Sequence, residues 1–128
     1  MNLVDTDVLV DCLRGTIPAQ AWLKQLAQQP SAVPAAAAME LVMGSRDRTD
    51  LEHIQRFLAT FEIAWPDAAD FAAAYQLLLS HRLTSGLNIP DCLIAATALR
   101  RNARLYTFNL KHFQVVPGLE VERPYSRP

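Results

Sequence analysis

The chain has 128 residues, of which 51% are hydrophobic and 20% charged, with a formal net charge of −1. Those proportions exclude a disordered chain and suit one folded domain, residues 1–128, with a core of its own. The near-zero charge gives no global pull toward nucleic acid, and no apolar run nears the roughly 18 residues needed to span a bilayer.

The opening Met1-Asn2-Leu3-Val4 reads as a short strand that stops on Asp5. Val8 to Leu13 suggests a first helix closed by Gly15, and Ala19 to Ala27 an amphipathic second one. Ser31-Ala32-Val33-Pro34 is a candidate strand entering the helix Ala35 to Val42, which stops near Gly44. Asp50 to Leu58 repeats the helical pattern, with Leu51, Ile54, Phe57 and Leu58 on one face. Phe61 to Trp65 alternates like a strand. Asp67 then caps a long helix reaching about Leu83, with Phe71, Ala74, Tyr75, Leu78 and Leu79 expected to face inward. Thr84-Ser85-Gly86 breaks it, and another helix starts at Pro90 or Asp91 and runs to about Arg101. Leu105 to Phe108 and Leu119 to Glu122 are the remaining strands, and residues 124–128 are expected to fray. Strands alternating with helices imply a three-layer α/β/α fold around a parallel sheet of about four or five strands.

In such a sheet, ligands and metals gather at the carboxyl edge of the strands, where Asp5 is expected. Glu40 sits inside an apolar helical run, and Asp91 opens the helix that begins Ile89-Pro90-Asp91. Asp5 and Asp91 each also suit helix capping, so no single acid decides the matter. Brought together, two such charges at ~4 Å repel by roughly 4 kcal/mol at an effective dielectric of 20, a tension that a divalent cation relieves. Asp7 and Asp11 fit capping or solubility better. Cys12 and Cys92 form no C-x-x-C pair and read as buried reduced thiols. His53, His81 and His112 make no zinc pattern and suit surface positions. Arg46 and Arg48, then Arg100, Arg101 and Arg104, and Lys111 are the basic spots from which one phosphate-binding cluster could come.

The stretch Leu87-Asn88-Ile89-Pro90-Asp91-Cys92-Leu93-Ile94-Ala95-Ala96-Thr97-Ala98 resembles the PIN-domain ribonucleases, specifically VapC-type toxins of bacterial toxin–antitoxin pairs. Leu3 to Leu9, Glu40 to Gly44 and Lys111-His112-Phe113 with Val116 to Leu119 match in the same order. The resemblance implies catalytic acids Asp5, Glu40 and Asp91, with Asp5 and Asp91 as direct Mg²⁺ ligands (Mn²⁺ also suits the site). It implies Thr6 as a hydroxyl close to the metal or scissile phosphate. Asn109 stands where many relatives carry a fourth acid, and His112 where some carry another. The implied activity is metal-dependent endonucleolytic cleavage of RNA in the cytoplasm. The implied partners are a second copy of the chain and a cognate VapB-type antitoxin. Trp22, Leu23, Leu41 and Met43 are apolar helical positions that suit either core or an antitoxin-facing surface.

Two rivals stand beside it. Asp5-Thr6-Asp7-Val8 also resembles the nucleophile motif of haloacid-dehalogenase-type phosphatases, but no second acid lies near Asp91. A PIN-like module that binds RNA or protein without cutting is the other, favoured by Asn109 and opposed by the intact Asp5, Glu40 and Asp91.

Overall fold

Five short runs pair as strands in the computed structural model, which describes residues 1–127. These are β1 (Asn2–Val4), β2 (Ser31–Pro34), β3 (Glu62–Ala64), β4 (Arg104–Tyr106) and β5 (Glu120–Glu122). Their order is β3-β2-β1-β4-β5, and every neighbouring pair is parallel. Parallel pairing requires crossovers, and the described residues supply them as seven helices. They are α1 (Thr6–Arg14), α2 (Ile17–Leu26), α3 (Ala35–Met43), α4 (Arg48–Leu58), α5 (Ala68–Ser85), α6 (Ile89–Arg100) and α7 (Leu110–Phe113). The expected α/β/α architecture is present, with five strands; the four-residue α7 is an addition to the elements expected from sequence.

The central strand explains its own composition. β1 is covered on both faces, so all three of its residues are buried and Leu3 and Val4 are wholly enclosed. Ala32, Val33 and Leu105 on the flanking strands complete that layer. Small side chains do the rest: Ala35, Ala37 and Ala38 of α3 and Ala95, Ala96 and Ala98 of α6 are all buried, letting those helices pack closely. Gly15 (φ 70°) and Gly86 (φ 73°) close α1 and α5 in the left-handed conformation that an L side chain resists. Cys12 and Cys92 are buried free thiols, and burial pushes Cys12 up to about 12, so it is not a nucleophile near neutral pH.

Two expectations are corrected. Phe71, Tyr75 and Leu79 do not face the core; they are 55%, 59% and 62% exposed and form a stripe along α5, while Asp70 and Ala74 are buried. α5 is apolar on more than one side, so its periodicity could not say which side α6 would cover. The C-terminal segment is not frayed through residue 127. The Tyr125 hydroxyl donates to Asp11 Oδ2 at 3.0 Å, its ring meets Phe108 edge-on at 5.2 Å, and the Arg127 guanidinium lies 3.7 Å over the Phe108 ring. Asp11 is therefore a bracket for the tail, which aromatic contact and charge hold down together; Pro128 lies outside the described residues.

The buried acid Asp70 has a structural explanation. It completes a capping box with Asp67 at the start of α5 and accepts from Arg100 Nε at 2.7 Å, tying that start to the end of α6. Burial alone would raise its pKa, but the Arg100 contact and the Asp67 N–H outweigh it and hold the carboxyl below its ordinary range. Arg100→Ala should lower stability, because it leaves a buried carboxylate without its cation; urea denaturation at pH 7 checks this, and an unchanged midpoint would refute the assignment.

Candidate active site

The chain runs outward from β1 through β2 to β3 on one side, then returns to place β4 on the other. The gap between the carboxyl ends of β1 and β4 is thus the switch point of the sheet, where such folds hold ligands. Leu3 pairs with Leu105 and Val4 with Tyr106, so the next residues along, Asp5 and Thr107, meet at that gap. The Asp5 N–H donates to the Tyr106 carbonyl at 2.9 Å, pinning the acid in place.

Asp5 both caps α1 and faces the site. Its Oδ1 accepts the Thr6 N–H at 2.8 Å and its Oδ2 accepts the Thr107 hydroxyl at 2.8 Å, with only 7% of the residue exposed. Burial, and then the nearby Asp7 carboxylate, raise its pKa to about 7 against the two hydrogen bonds, with Asp91 adding to the rise. Asp7 is raised as well, chiefly by burial. Its Oδ2 accepts the Phe108 N–H at 3.0 Å, and among the described residues its buried Oδ1 has no hydrogen-bond partner. The single Thr107 proton goes to Asp5, so the 3.4 Å separation from Asp7 Oδ2 is not a second full bond.

Glu40 reaches the site from α3. Its Oε1 accepts the Thr6 hydroxyl at 2.9 Å, which places Thr6 between Glu40 and Asp5. Asp91 stands in the first turn of α6. The Asp91 N–H donates to Asn88 Oδ1 at 3.0 Å, and Asp91 Oδ2 accepts the Asn88 N–H at 3.3 Å. Its Oδ2 also lies 3.6 Å from His112 Nε2. Asn109 donates its N–H to the Thr107 hydroxyl at 3.0 Å, and its side-chain amide nitrogen is 2.7 Å from His112 Nδ1. His112 is thus not a plain surface residue. Asp7 and Thr107 are the neighbours that sequence reasoning placed elsewhere or passed over, while His112, a surface residue by its spacing, stands where the resemblance puts an acid in some relatives. The Asp5-Thr6-Asp7 spacing was the available signal for Asp7, and Thr107 gave none beyond its place after a strand.

Beside Thr6 and Glu40 opens a cleft of about 520 Å³ between α1, α3 and α4, with Arg14, Arg46 and His53 on its walls. Arg46 is paired there with Asp50 at 3.4 Å. Arg100, Arg101 and Arg104 serve elsewhere, in ion pairs with Asp67 and Asp70, with Glu62, and with Glu120 and Glu122.

Among the described residues, no three His, Cys, Asp or Glu side chains converge closely enough to enclose a cation by themselves. The donor set still fits a hard divalent ion that keeps several of its waters, as Mg²⁺ does. It is carboxylate and hydroxyl oxygen around an acid that burial and then its charged neighbours keep from ionising, with one imidazole, His112, at the Asp91 side, and among the described residues Asp7 Oδ1 has no hydrogen-bond partner.

The PIN domain family model matches residues 3–119. Ribonuclease VapC10 of Mycobacterium tuberculosis is 31% identical over 130 residues, covering 100% of this chain and 96% of that protein. Ribonuclease VapC19 of the same organism is 32% identical over 125 residues, covering 94% and 98%. Among solved structures, a toxin–antitoxin complex from Klebsiella pneumoniae matches with a TM-score of 0.77 at 27% identity, covering 99% of this chain and 100% of that one. The VapBC2 structure from Rickettsia felis, bound to a promoter DNA fragment, shares the fold at a TM-score of 0.82 and 24% identity, covering 95% and 97%. A family match over nearly the whole chain, joined to full-length relatives above 30% identity, means that the chain belongs to the PIN-domain family, in the company of the VapC ribonucleases.

Proposed function

We propose that this chain is a single PIN domain acting as a divalent-metal-dependent endoribonuclease, the toxin of a toxin–antitoxin pair. The observation that carries the proposal is Asp5: a buried acid at the switch point, held by Thr6 and Thr107, where burial first, then Asp7 and last Asp91 push its pKa up to about 7. Asp5 and Asp91 would hold Mg²⁺ or Mn²⁺, and Glu40 would complete the acidic cluster directly or through a water. When bound, the cation supplies neutralising charge at the scissile phosphodiester and makes a water acidic enough to attack phosphorus. The chain's own residues set the geometry. Thr107 and the Thr6 N–H orient the Asp5 carboxylate, the Thr6 hydroxyl orients Glu40, and Asn109 is held at the rim by Thr107. Arg14 and Arg46, on the adjoining cleft, are placed to meet RNA phosphates.

A cationic side chain from a VapB-type antitoxin would enter the same carboxylates favourably, which supports inhibition at the site itself. Of the four apolar positions considered for an antitoxin surface, Trp22 and Leu41 are buried and Leu23 packs on the core, leaving Met43, 83% exposed. The apolar stripe Phe71, Tyr75, Leu79 and Leu83 along α5 supports a homodimer. No described helix is long and apolar enough to cross a membrane, and a cytoplasmic location is part of the proposal.

The test is incubation of total cellular RNA with purified, antitoxin-free protein in Mg²⁺ or Mn²⁺, beside Asp5→Asn and an EDTA control. Discrete fragments that need both metal and Asp5 are expected. RNA left intact by folded protein in every buffer would instead favour the non-cutting binding module, for which Asn109, uncharged at the rim, is the one supporting feature.

A further inference from the structure

Asp5 and Asp91 stand at the two ends of an arc of polar groups formed by Thr107, Asn109 (the N-cap position of α7, whose side chain makes no capping bond) and His112. The Thr107 hydroxyl donates to Asp5 Oδ2 at 2.8 Å and accepts the Asn109 N–H at 3.0 Å. The Asn109 side chain meets His112 Nδ1 at 2.7 Å, and His112 Nε2 faces Asp91 Oδ2 at 3.6 Å. Phe113, wholly buried, anchors α7 and so fixes where the His112 ring can lie.

The far end of this arc is unfinished. Among the described residues, His112 Nε2 is buried and has no hydrogen-bond partner. Were it an N–H beside a carboxylate, the pair would close to about 2.7–3.2 Å. A lone pair facing a carboxylate stands off instead, and a cation between the two satisfies both. The Asn109 amide nitrogen faces Nδ1 in the structure; the amide with its oxygen and nitrogen exchanged fits the same space and would place the ring proton on Nδ1, leaving Nε2 as an acceptor. That is the usual support for a metal-bound imidazole, whose other nitrogen is held by a carbonyl or carboxylate. Two ligands each about 2.1 Å from one ion are separated by roughly 3.0–3.4 Å, so the observed gap needs only a small closure.

We propose that His112, through Nε2, joins Asp5 and Asp91 as a nitrogen ligand of the cation they would hold, the three side chains, which do not converge on their own, closing on the ion; this would bias the site toward Mn²⁺ over Mg²⁺. The proposal rests on the metal-site reading given above. Imidazole suits transition-metal ions, whereas Mg²⁺ takes oxygen ligands and parts with its waters reluctantly. The carboxylate that would serve Mg²⁺ better is absent from this end of the site, where Asn109 and His112 stand instead.

The experiment is pulsed electron paramagnetic resonance of Mn²⁺ bound to the antitoxin-free 128-residue chain, with Mn²⁺ and Mg²⁺ affinities measured by calorimetry. Directly coordinated nitrogen is expected as ¹⁴N modulation that becomes a ¹⁵N signal when only histidine is labelled, an assignment that needs no variant. His112→Gln should abolish it and weaken Mn²⁺ binding about tenfold or more, with Mg²⁺ affinity changed less than about twofold; His81→Gln should keep it. His112→Asp should reverse the order and improve Mg²⁺ binding. Mn²⁺ bound without histidine nitrogen modulation, or modulation that survives His112→Gln, would overturn the His112 assignment and leave the metal site standing. Failure of the wild-type chain to bind Mn²⁺ at all would overturn both.

Discussion

Asp5→Asn should cut RNA roughly 10²–10³-fold more slowly, since losing even an outer partner of a metal site costs 10–100-fold, and yet fold more stably. The gain follows from the raised pKa. As pH rises, Asp5 in the unfolded chain ionises at its usual value near 3.8, whereas in the folded chain it holds its proton to about 7. Between those values the folded state binds more protons, so the contribution of Asp5 falls as pH rises from about 4 to about 7 and is level above that. A shift of that size corresponds to a few kcal/mol at most. The variant keeps the α1 cap, because Asn caps as well as Asp, and its carbonyl can still accept from Thr107. Urea denaturation without divalent ions should therefore show a gain of about 2 kcal/mol at pH 8 and almost none at pH 4. Saturating Mn²⁺ should stabilise the wild type and not the variant. A wild-type curve that is level across that range would refute the strained Asp5.

On the proposed function Asp91 has two jobs, capping α6 and serving the site, and two substitutions tell them apart. Asp91→Asn keeps an oxygen for the Asn88 N–H but removes the charge facing His112, so cleavage should fall at least about a hundredfold while stability stays within ~0.5 kcal/mol. Asp91→Ala loses the same activity and also half of the capping box, at a further cost of about 1 kcal/mol. Paired cleavage and denaturation measurements read both. If Asp91→Asn cut RNA normally, Asp91 would be a capping residue alone, a role its geometry already supports.

Much of this could be read along the chain. Each strand expected from sequence exists, because short apolar or alternating runs set off by turn and capping residues have few other uses. Glu40 stood out since a charge inside Ala35–Met43 has no local partner; its partner, the Thr6 hydroxyl, is 34 residues away. The capping readings of Asp5 and Asp91 were also right as far as they went: both residues cap their helices and face the site.

What stayed hidden depends on the β1–β4 register and on which helix covers which. Thr107 reaches Asp5 across 102 residues, and Phe108 reaches Asp7 across 101, so no local pattern links them. The same holds for Asp11, whose partners Tyr125 and Arg127 return from the far end of the chain. On α5, apolar residues around the helix left its buried face undecided until α6 took one side. Composition and alternation by themselves determined a parallel α/β sheet with acids at its carboxyl edge, because burial and helix capping are local demands. Only the tertiary structure decided that Asp7 and Thr107 join them, and how Asn109 and His112, to which the family resemblance points, are held there, because hydrogen bonds and charge repulsion act through space, and strand register sets that space.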